Sequence, residues 1–448
     1  MAAAERLGRE GGGRVRVTLL EAKRMCGGRA GSFDDGDRRE VDYCQHVAMG
    51  CCTNLLDLLR RSDLLRYWRR FEELSFHHPD HPPSRFRPAK WLPAPLHMAP
   101  TLPAIRYLSW RQRAAVTRAV AKLWFTPEDR LRDVTAGGWL RRHGQDAETV
   151  ERFWAVILVS ALGESVDAVS MASARKVVID GFAAHRDAAD VWVPGLPLSE
   201  MFGRRLVDAV RKLGVEVRTG TAVSAVGRDG DGTWRVAAGE EAVLGDRVVL
   251  ATAWHRWGGL VDADTRRDLP WLENVDAVEG SPITGLHLWL DRPLLDRPHA
   301  VLVGTVAQWA FADPIEEPAD GPPRAHDPAG GSEFYVQVVI SASHRERRWD
   351  RERLADVVVA ELNAEFAAGR EPARLVRHRV VTDPRSVYSV TPKVESMRPE
   401  VEDPATPGLL FASDFARTGW PSTMEGAVIA GRQAAAAAMG SEQLTANR

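Results

Sequence analysis

The chain has 448 residues, 44% of them hydrophobic, and a formal charge of −2 with a pI near 6.7. That much apolar sequence supports a large core and two or three domains, and the near-neutral balance excludes a general nucleic-acid binder. The longest charge-free apolar run, Phe153 to Gly163, is too short to cross a bilayer. Cys26, Cys44, Cys51 and Cys52 lack both CxxC spacing and a zinc-type histidine pattern, so reduced thiols in a cytoplasmic, soluble or peripheral protein are expected.

The first 14 residues, MAAAERLGREGGGR, read as a helix that ends in a glycine loop. Val15 to Glu21 then reads as a β-branched strand closing on an acid, the second strand of a dinucleotide-binding unit. In such a unit the glycine-rich phosphate turn stands roughly 20 residues before the acid and ahead of the helix. Here only 20 residues precede Glu21, and the glycines follow the helix. The expectation is a chain that opens inside the unit's first helix, with the first strand and GxGxxG turn missing from these 448 residues.

Gly27 to Gly31 should form a tight loop, followed by short segments around Phe33 and Val41, and the leucines from Thr53 to Arg70 suit one helix. Eight prolines between Pro79 and Pro103 predict an irregular excursion. Helices are predicted over Ser109–Phe125, Ala147–Leu162, Ser170–Ala184 and Leu198–Leu213. Strands follow at Val215–Arg218 and Ala222–Val226, then a hairpin about Gly239 and a strand at Arg247–Ala251. Pro282–Leu290, Ala300–Val306 and Phe334–Ser341 read as strands, residues 316–331 as a mobile loop, and Asp350–Ala368 as a helix. A strand, a turn and a small-residue helix close the chain.

Glu21 can accept hydrogen bonds from ribose hydroxyls, although an acid at a strand end is also commonly just exposed. Gly27, Gly28 and Arg29 follow within eight residues, offering close backbone approach and a guanidinium to a diphosphate. Asp414 closes the last strand. Ser422 and Glu425, three apart, have the form of a capping box. Gly426, Ala427, Ala430 and Gly431 permit close packing on a strand, a helix or a flat ring. Gln45 and His46 offer a proton donor for a leaving hydroxyl, or a hydrogen-bonded core histidine; Tyr388 is a further candidate. Residues 60–125 hold 13 basic and 4 acidic side chains among ten Trp, Phe and Tyr. That fits an anionic membrane interface or a solvated helix face.

The segments TLLEAK…GGRAGSF, VDYCQHVAMGC and FASDFARTGWPSTMEGAVIAG resemble the flavin-dependent amine oxidase and phytoene desaturase superfamily. VWVPGLPLSEMF, SPITGLHLWLDRP and YSVTPKVESMRP resemble its hydroxysqualene dehydroxylase branch nearly end to end. The resemblance implies an α/β fold in which a Rossmann-like FAD-binding domain (1–60, 193–260, 405–440) is interleaved with an α+β substrate domain (61–192, 261–404). It implies FAD as cofactor. Glu21 would hold the adenosine ribose, Gly27, Gly28 and Arg29 would line the diphosphate, and Val223 would meet the adenine. Asp414 would approach the ribityl chain, with Thr423 and Met424 at the flavin end. His46 and Tyr43 would be the catalytic candidates near the ring.

It further implies a long-chain isoprenoid substrate, peripheral contact with the inner face of the cytoplasmic membrane, and an electron donor that the residues leave open. Two positions depart from the branch: Ser413 stands where it has glycine, and DYCQH where it has DNGQH. The alternatives are a carotenoid-type desaturase and, from another class, a flavin-free isoprenoid-binding protein. An amine oxidase is less favoured, since the residues give no sign of a polar amine pocket.

Overall fold

The structure is a computed structural model describing residues 1–36, 40–312 and 333–440; the loop predicted over 316–331 lies outside the described residues. Two short parallel strand pairs form the part expected from the sequence to bind nucleotide. Thr18–Glu21 pairs with Glu216–Thr219, and Val248–Leu250 pairs with Leu409–Phe411. Among the described residues no strand joins the two pairs. Both nevertheless lean on the same two helices, Ala2–Glu10 and Met424–Ala438, because Val17 and Val249 pack together with Ala3, Leu7 and Ala435. The small residues of the last helix serve this contact: a Cβ at Gly431 would come within 3.0 Å of Ala2 Cβ.

A seven-stranded sheet makes the second part, in the order Leu375–Tyr388, Gly280–Leu290, Phe334–Ser341, Trp309–Ala312, His299–Leu302, Leu74–His78, His81–Phe86. Strand side chains alternate between faces. Leu286, Leu288 and Leu290, with Val336, Val338 and Ile340, bury against Leu354, Val358 and Leu362 of helix Arg351–Phe366. The intervening residues Gly285, His287, Trp289, Tyr335 and Gln337 therefore face the nucleotide-binding part. Gly285 lies so close that a Cβ there would stand 2.6 Å from the Tyr43 carbonyl.

Several predicted elements change. The helix expected over Thr53–Arg70 ends at Arg61, where Ser62 and a left-handed Asp63 (φ 58°) break it, and Trp68–Phe71 is a strand. The proline-rich stretch is regular over His81–Phe86. It can be, because that strand is at the sheet edge and its register with Leu74–His78 shifts between Ser84 and His81, which leaves Pro82 and Pro83 outside the paired positions. The hairpin about Gly239 forms as Trp234–Ala238 with Glu241–Gly245.

The capping box is also corrected. Thr423, not Ser422, caps the last helix by accepting from Gly426 N. Glu425 instead reaches another helix: its two oxygens accept from Asn54 N (3.0 Å), Asn54 Nδ2 (2.9 Å) and Leu55 N (2.7 Å) at the start of Thr53–Arg61. That helix has no cap of its own, and the anion suits its N-terminus. Glu425→Ala is expected to cost about 2 kcal/mol by orphaning two buried N–H groups, read as a lower urea midpoint with an unchanged slope. Glu425→Gln, which keeps one acceptor, should lose less.

Candidate cofactor and active site

The loop after the first strand is tied to the loop after its partner. Thr221 N donates to Glu21 O (2.9 Å) and Gly220 N to Lys23 O (2.8 Å), which sets Val223, the first residue of strand Val223–Arg228, next to the Glu21 strand end. Glu21 Oε1 accepts from Lys23 N at 2.8 Å, leaving its second oxygen for a ligand. Gly27 has φ +126°, and a Cβ there would stand 2.7 Å from Ala30 O; Gly28 has φ +64° and open space where a Cβ would point. The chain thus exposes bare backbone beside the Arg29 guanidinium.

Arg29 reaches across to the last unit. Its Nη2 meets Asp414 Oδ1 at 2.5 Å, its Nη1 donates to Ser386 O, and its guanidinium lies 5.8 Å from the Trp254 ring centroid. Asp414 is 3% exposed, and its other oxygen accepts from Ser422 Oγ. Met424 packs near Ala30, and Thr423 caps its helix. The hydroxyl of Ser413, which stands where the branch has glycine, accepts from Phe415 N at 3.1 Å. Among the predicted cofactor residues, Arg29 and Asp414 touch directly. Glu21 with Val223, and Thr423 with Met424, flank them through backbone ties and helix packing. The donor set fits FAD: a carboxylate for ribose, bare glycine backbone with a cationic fork for diphosphate, and a buried carboxylate for the ribityl side.

A residue missed from sequence organises this loop. Arg398 is 3% exposed and donates to Phe415 O (3.1 Å), Asp414 O (3.4 Å), Ala416 O (2.7 Å) and Trp420 O (2.6 Å), while Nη1 pairs with Glu395 at 2.9 Å. One guanidinium thus closes the turn that carries Asp414. Arg398 lies in YSVTPKVESMRP, but nothing in that segment signals carbonyl partners 16 to 22 residues onward. Tyr388 also belongs to this support. It is fully buried against Trp254 and Phe415 and donates to Glu395 Oε1 at 3.0 Å.

The loop expected at the flavin ring runs along the inner face of the seven-stranded sheet. Tyr43 is 39% exposed, its N donates to Gly31 O (3.0 Å), and its ring packs on Phe33 at 5.6 Å. Burial pushes the Cys44 thiol up to about 12, so it stays protonated and is no nucleophile. His46 Nδ1 lies 2.8 Å from Cys44 O and must donate to it, which leaves Nε2 as an acceptor on a half-buried ring. Burial lowers its pKa from the ordinary value, so the ring is neutral at pH 7. Gln45 lines a cleft with Val41, Phe71, Val193, Phe311 and Tyr335. The Tyr335 hydroxyl, also missed from sequence, lies 2.7 Å from the buried His287 Nδ1. The predicted cofactor residues Glu21, Arg29 and Asp414 do not line this cleft.

Against known proteins, the family described as flavin containing amine oxidoreductase matches residues 1–439. The 15-cis-phytoene desaturase of Glycine max is 23% identical over 449 residues, covering 96% of this chain and 76% of that protein. The Synechococcus elongatus 15-cis-phytoene desaturase is 27% identical over 176 residues, 39% of this chain and 36% of that one. Among solved structures, putrescine oxidase bound to putrescine aligns with a TM-score of 0.67 at 15% identity, over 98% of this chain and 96% of that one. An oxidoreductase from Methanosarcina mazei aligns with a TM-score of 0.69 at 14% identity, over 96% of both chains. These structural matches bear out the expected mixed α/β flavoenzyme fold.

Two outcomes follow from the geometry. Arg398→Met should weaken FAD binding by roughly tenfold or more, because four carbonyls of the Asp414 turn lose their shared donor; titration of the apoprotein by flavin fluorescence reads it, with circular dichroism reporting the fold. Burial also holds His287 and His299 down at about 4, with the nearby Arg379 and Arg297 charges adding to it. Their folded pKa lies below the unfolded value of about 6.5, so their contribution to stability is complete above that pH and is lost as pH falls from 6.5 to 4. On the order of 3 kcal/mol per histidine is at stake, and His287→Gln should visibly flatten the acid limb of a stability–pH curve.

Proposed function

We propose a specific reaction for a chain that belongs to the flavin containing amine oxidoreductase family and is an FAD-dependent oxidoreductase: the reductive removal of the allylic hydroxyl of hydroxysqualene to give squalene. The flavin-free isoprenoid-binding alternative is set aside by the family match over residues 1–439. FAD, once reduced by a two-electron donor, would supply the hydride. One C–O bond breaks, the hydroxyl leaves as water with one proton, and a C–H bond forms with the electron pair of that hydride.

The observation that carries the reading is the wall of the cleft beside Gln45. Val41, Phe71, Val193 and Phe311 give part of it an aliphatic and aromatic lining suited to a polyisoprenoid chain, beside the polar side chains of Glu40, Asp42, Arg69 and Gln337. Its carboxylates are engaged elsewhere: Glu40 with Arg204 at 2.7 Å, and Asp42 with Ser32 Oγ and Leu198 N at 2.7 Å. They are poor partners for a substrate amine. The chain's own task is to keep water from the reacting carbon and to place a proton. His46, neutral with Nε2 as acceptor, passes a proton on only after receiving one, and Tyr43 in the same loop is the O–H donor proposed to relay it.

The phytoene desaturases matched across 96% of the chain favour a second reading, oxidation of a carotenoid-type polyene on the same scaffold. Both readings use a long isoprenoid, which reaches the cleft from a membrane surface. Product analysis with FAD-loaded enzyme separates them: with reductant, hydroxysqualene should yield squalene, and His46→Gln should lower kcat by roughly a hundredfold at unchanged flavin content. Desaturation of phytoene under an electron acceptor, with hydroxysqualene left intact, would replace the first reading by the second.

A further inference from the structure

Among the described residues, the four most exposed large hydrophobic side chains are Phe125 (82%), Trp91 (80%), Trp110 (72%) and Leu96 (58%), and all four fall within residues 91–125. That stretch lies in the basic segment 60–125, which carries 13 cationic and 4 anionic side chains in a chain of net −2. Helix Trp110–Trp124 organises much of it. Its inner side, Ala115, Val116, Ala119 and Leu123, is buried in the core. Its outer stripe holds Trp110, Arg111, Arg118 and Lys122, all exposed, and Phe125 follows at the helix end. These positions, 0, 1, 8, 12 and 15 along the chain, share one face at 3.6 residues per turn.

The two rings stand about 22 Å apart along the axis, with three cations and no acid on the stripe between them. Among the described residues none of Arg111, Arg118 and Lys122 has a carboxylate partner; the neighbouring ion pairs are Arg132–Asp129 and Arg152–Glu148. A solvated helix face needs neither exposed ring. A flat anionic surface uses both features: cations over lipid phosphates, and aromatic side chains at headgroup depth. The Trp91–Leu96 turn adds a second apolar projection. It is pinned by Ala89 N donating to His97 O at 2.8 Å and by the wholly buried His97, and Arg87 and Lys90 flank it.

We propose that the outer face of helix Trp110–Trp124, with the Trp91–Leu96 turn, docks this protein on an anionic lipid bilayer. Trp110, Phe125, Trp91 and Leu96 enter the headgroup layer, and Arg111, Arg118 and Lys122 lie over the phosphates. The purpose of this surface rests on the isoprenoid reading, since a water-insoluble substrate must be taken from a membrane; the surface itself rests on the exposed residues alone.

The test is co-sedimentation of the full FAD-loaded chain with phosphatidylcholine vesicles, with and without roughly one-third phosphatidylserine. The wild type should bind the anionic vesicles and leave the neutral ones. The combined Arg111→Gln, Arg118→Gln, Lys122→Gln variant should bind about a hundredfold more weakly. Trp110→Ser with Phe125→Ser, and Trp91→Ser with Leu96→Ser, should each bind at least about tenfold more weakly. All are surface changes, so flavin content and turnover of detergent-dispersed substrate should stay at wild-type levels. A wild type that remains in solution with anionic vesicles, or variants that bind as the wild type does, would overturn the proposal. If the vesicle pattern holds while detergent-dispersed hydroxysqualene is not consumed, the surface stands and the substrate reading falls.

Discussion

A carboxylate buried at the end of a parallel strand is the constraint around which the nucleotide-binding part is arranged. Asp414 is almost without solvent contact, and an uncompensated charge in that position is costly enough to protonate or unfold the turn. Compensation comes from three directions. Arg29 arrives from the first strand–loop unit, Ser422 from the last helix, and Arg398 fixes the turn's carbonyls from outside. The groups that neutralise Asp414 thereby join residues 29, 386, 398 and 422 in space, and it is this convergence that gives a cofactor one polar face. Arg29 is the versatile member: a planar fork shared between a carboxylate and a carbonyl can turn toward a diphosphate and keep one of its bonds.

The second constraint is alternation in the seven-stranded sheet. Because Leu286, Leu288 and Leu290 must face helix Arg351–Phe366, their neighbours Gly285, His287 and Trp289 are forced toward the nucleotide-binding part. Gly285 lets the Tyr43 backbone come against the strand, and His287 and Tyr335 then lie beneath the ring-side loop. A one-residue slip in this sheet would put leucines against Tyr43 and the polar pair against the helix core. Packing on one face of the sheet thus sets the chemistry available on the other.

Those two constraints differ in how far the chain announces them. Strands such as Gly280–Leu290 and the hairpin about Gly239 were legible because period and turn chemistry are local. Glu425 misled because S-x-x-E is a local pattern while its real partners, Asn54 and Leu55, are some 370 residues away. The helix expected to Arg70 stopped at Arg61 because a left-handed Asp63 outweighs the leucine period. Proline excluded a central strand over His81–Phe86 but not an edge strand, and edge position is a property of the assembled sheet. At the candidate site, strand ends and glycine spacing pointed to Glu21, Arg29 and Asp414, of which Arg29 and Asp414 meet in space. Arg398 was not, since its partners are backbone carbonyls, which every residue has.

The ring-side chemistry is shaped by what burial removes. Cys44 is held as a thiol and His46 as a neutral imidazole whose one free nitrogen accepts, so neither group brings a charge to the cleft. On the proposed dehydroxylation the wall of Phe71, Phe311 and Val193 would gain from that, because an unpaired ion beside it would organise water and quench a carbocation before a hydride could reach it. In the same reaction the proton would arrive through the loop that carries Tyr43 and, three residues on, His46, because the carboxylates lining the cleft, Glu40 and Asp42, are held by Arg204, Ser32 and Leu198. On that proposal, ionisation of the leaving hydroxyl would be tied to that loop's geometry, which Gly285 and the Gly31 carbonyl hold from two sides.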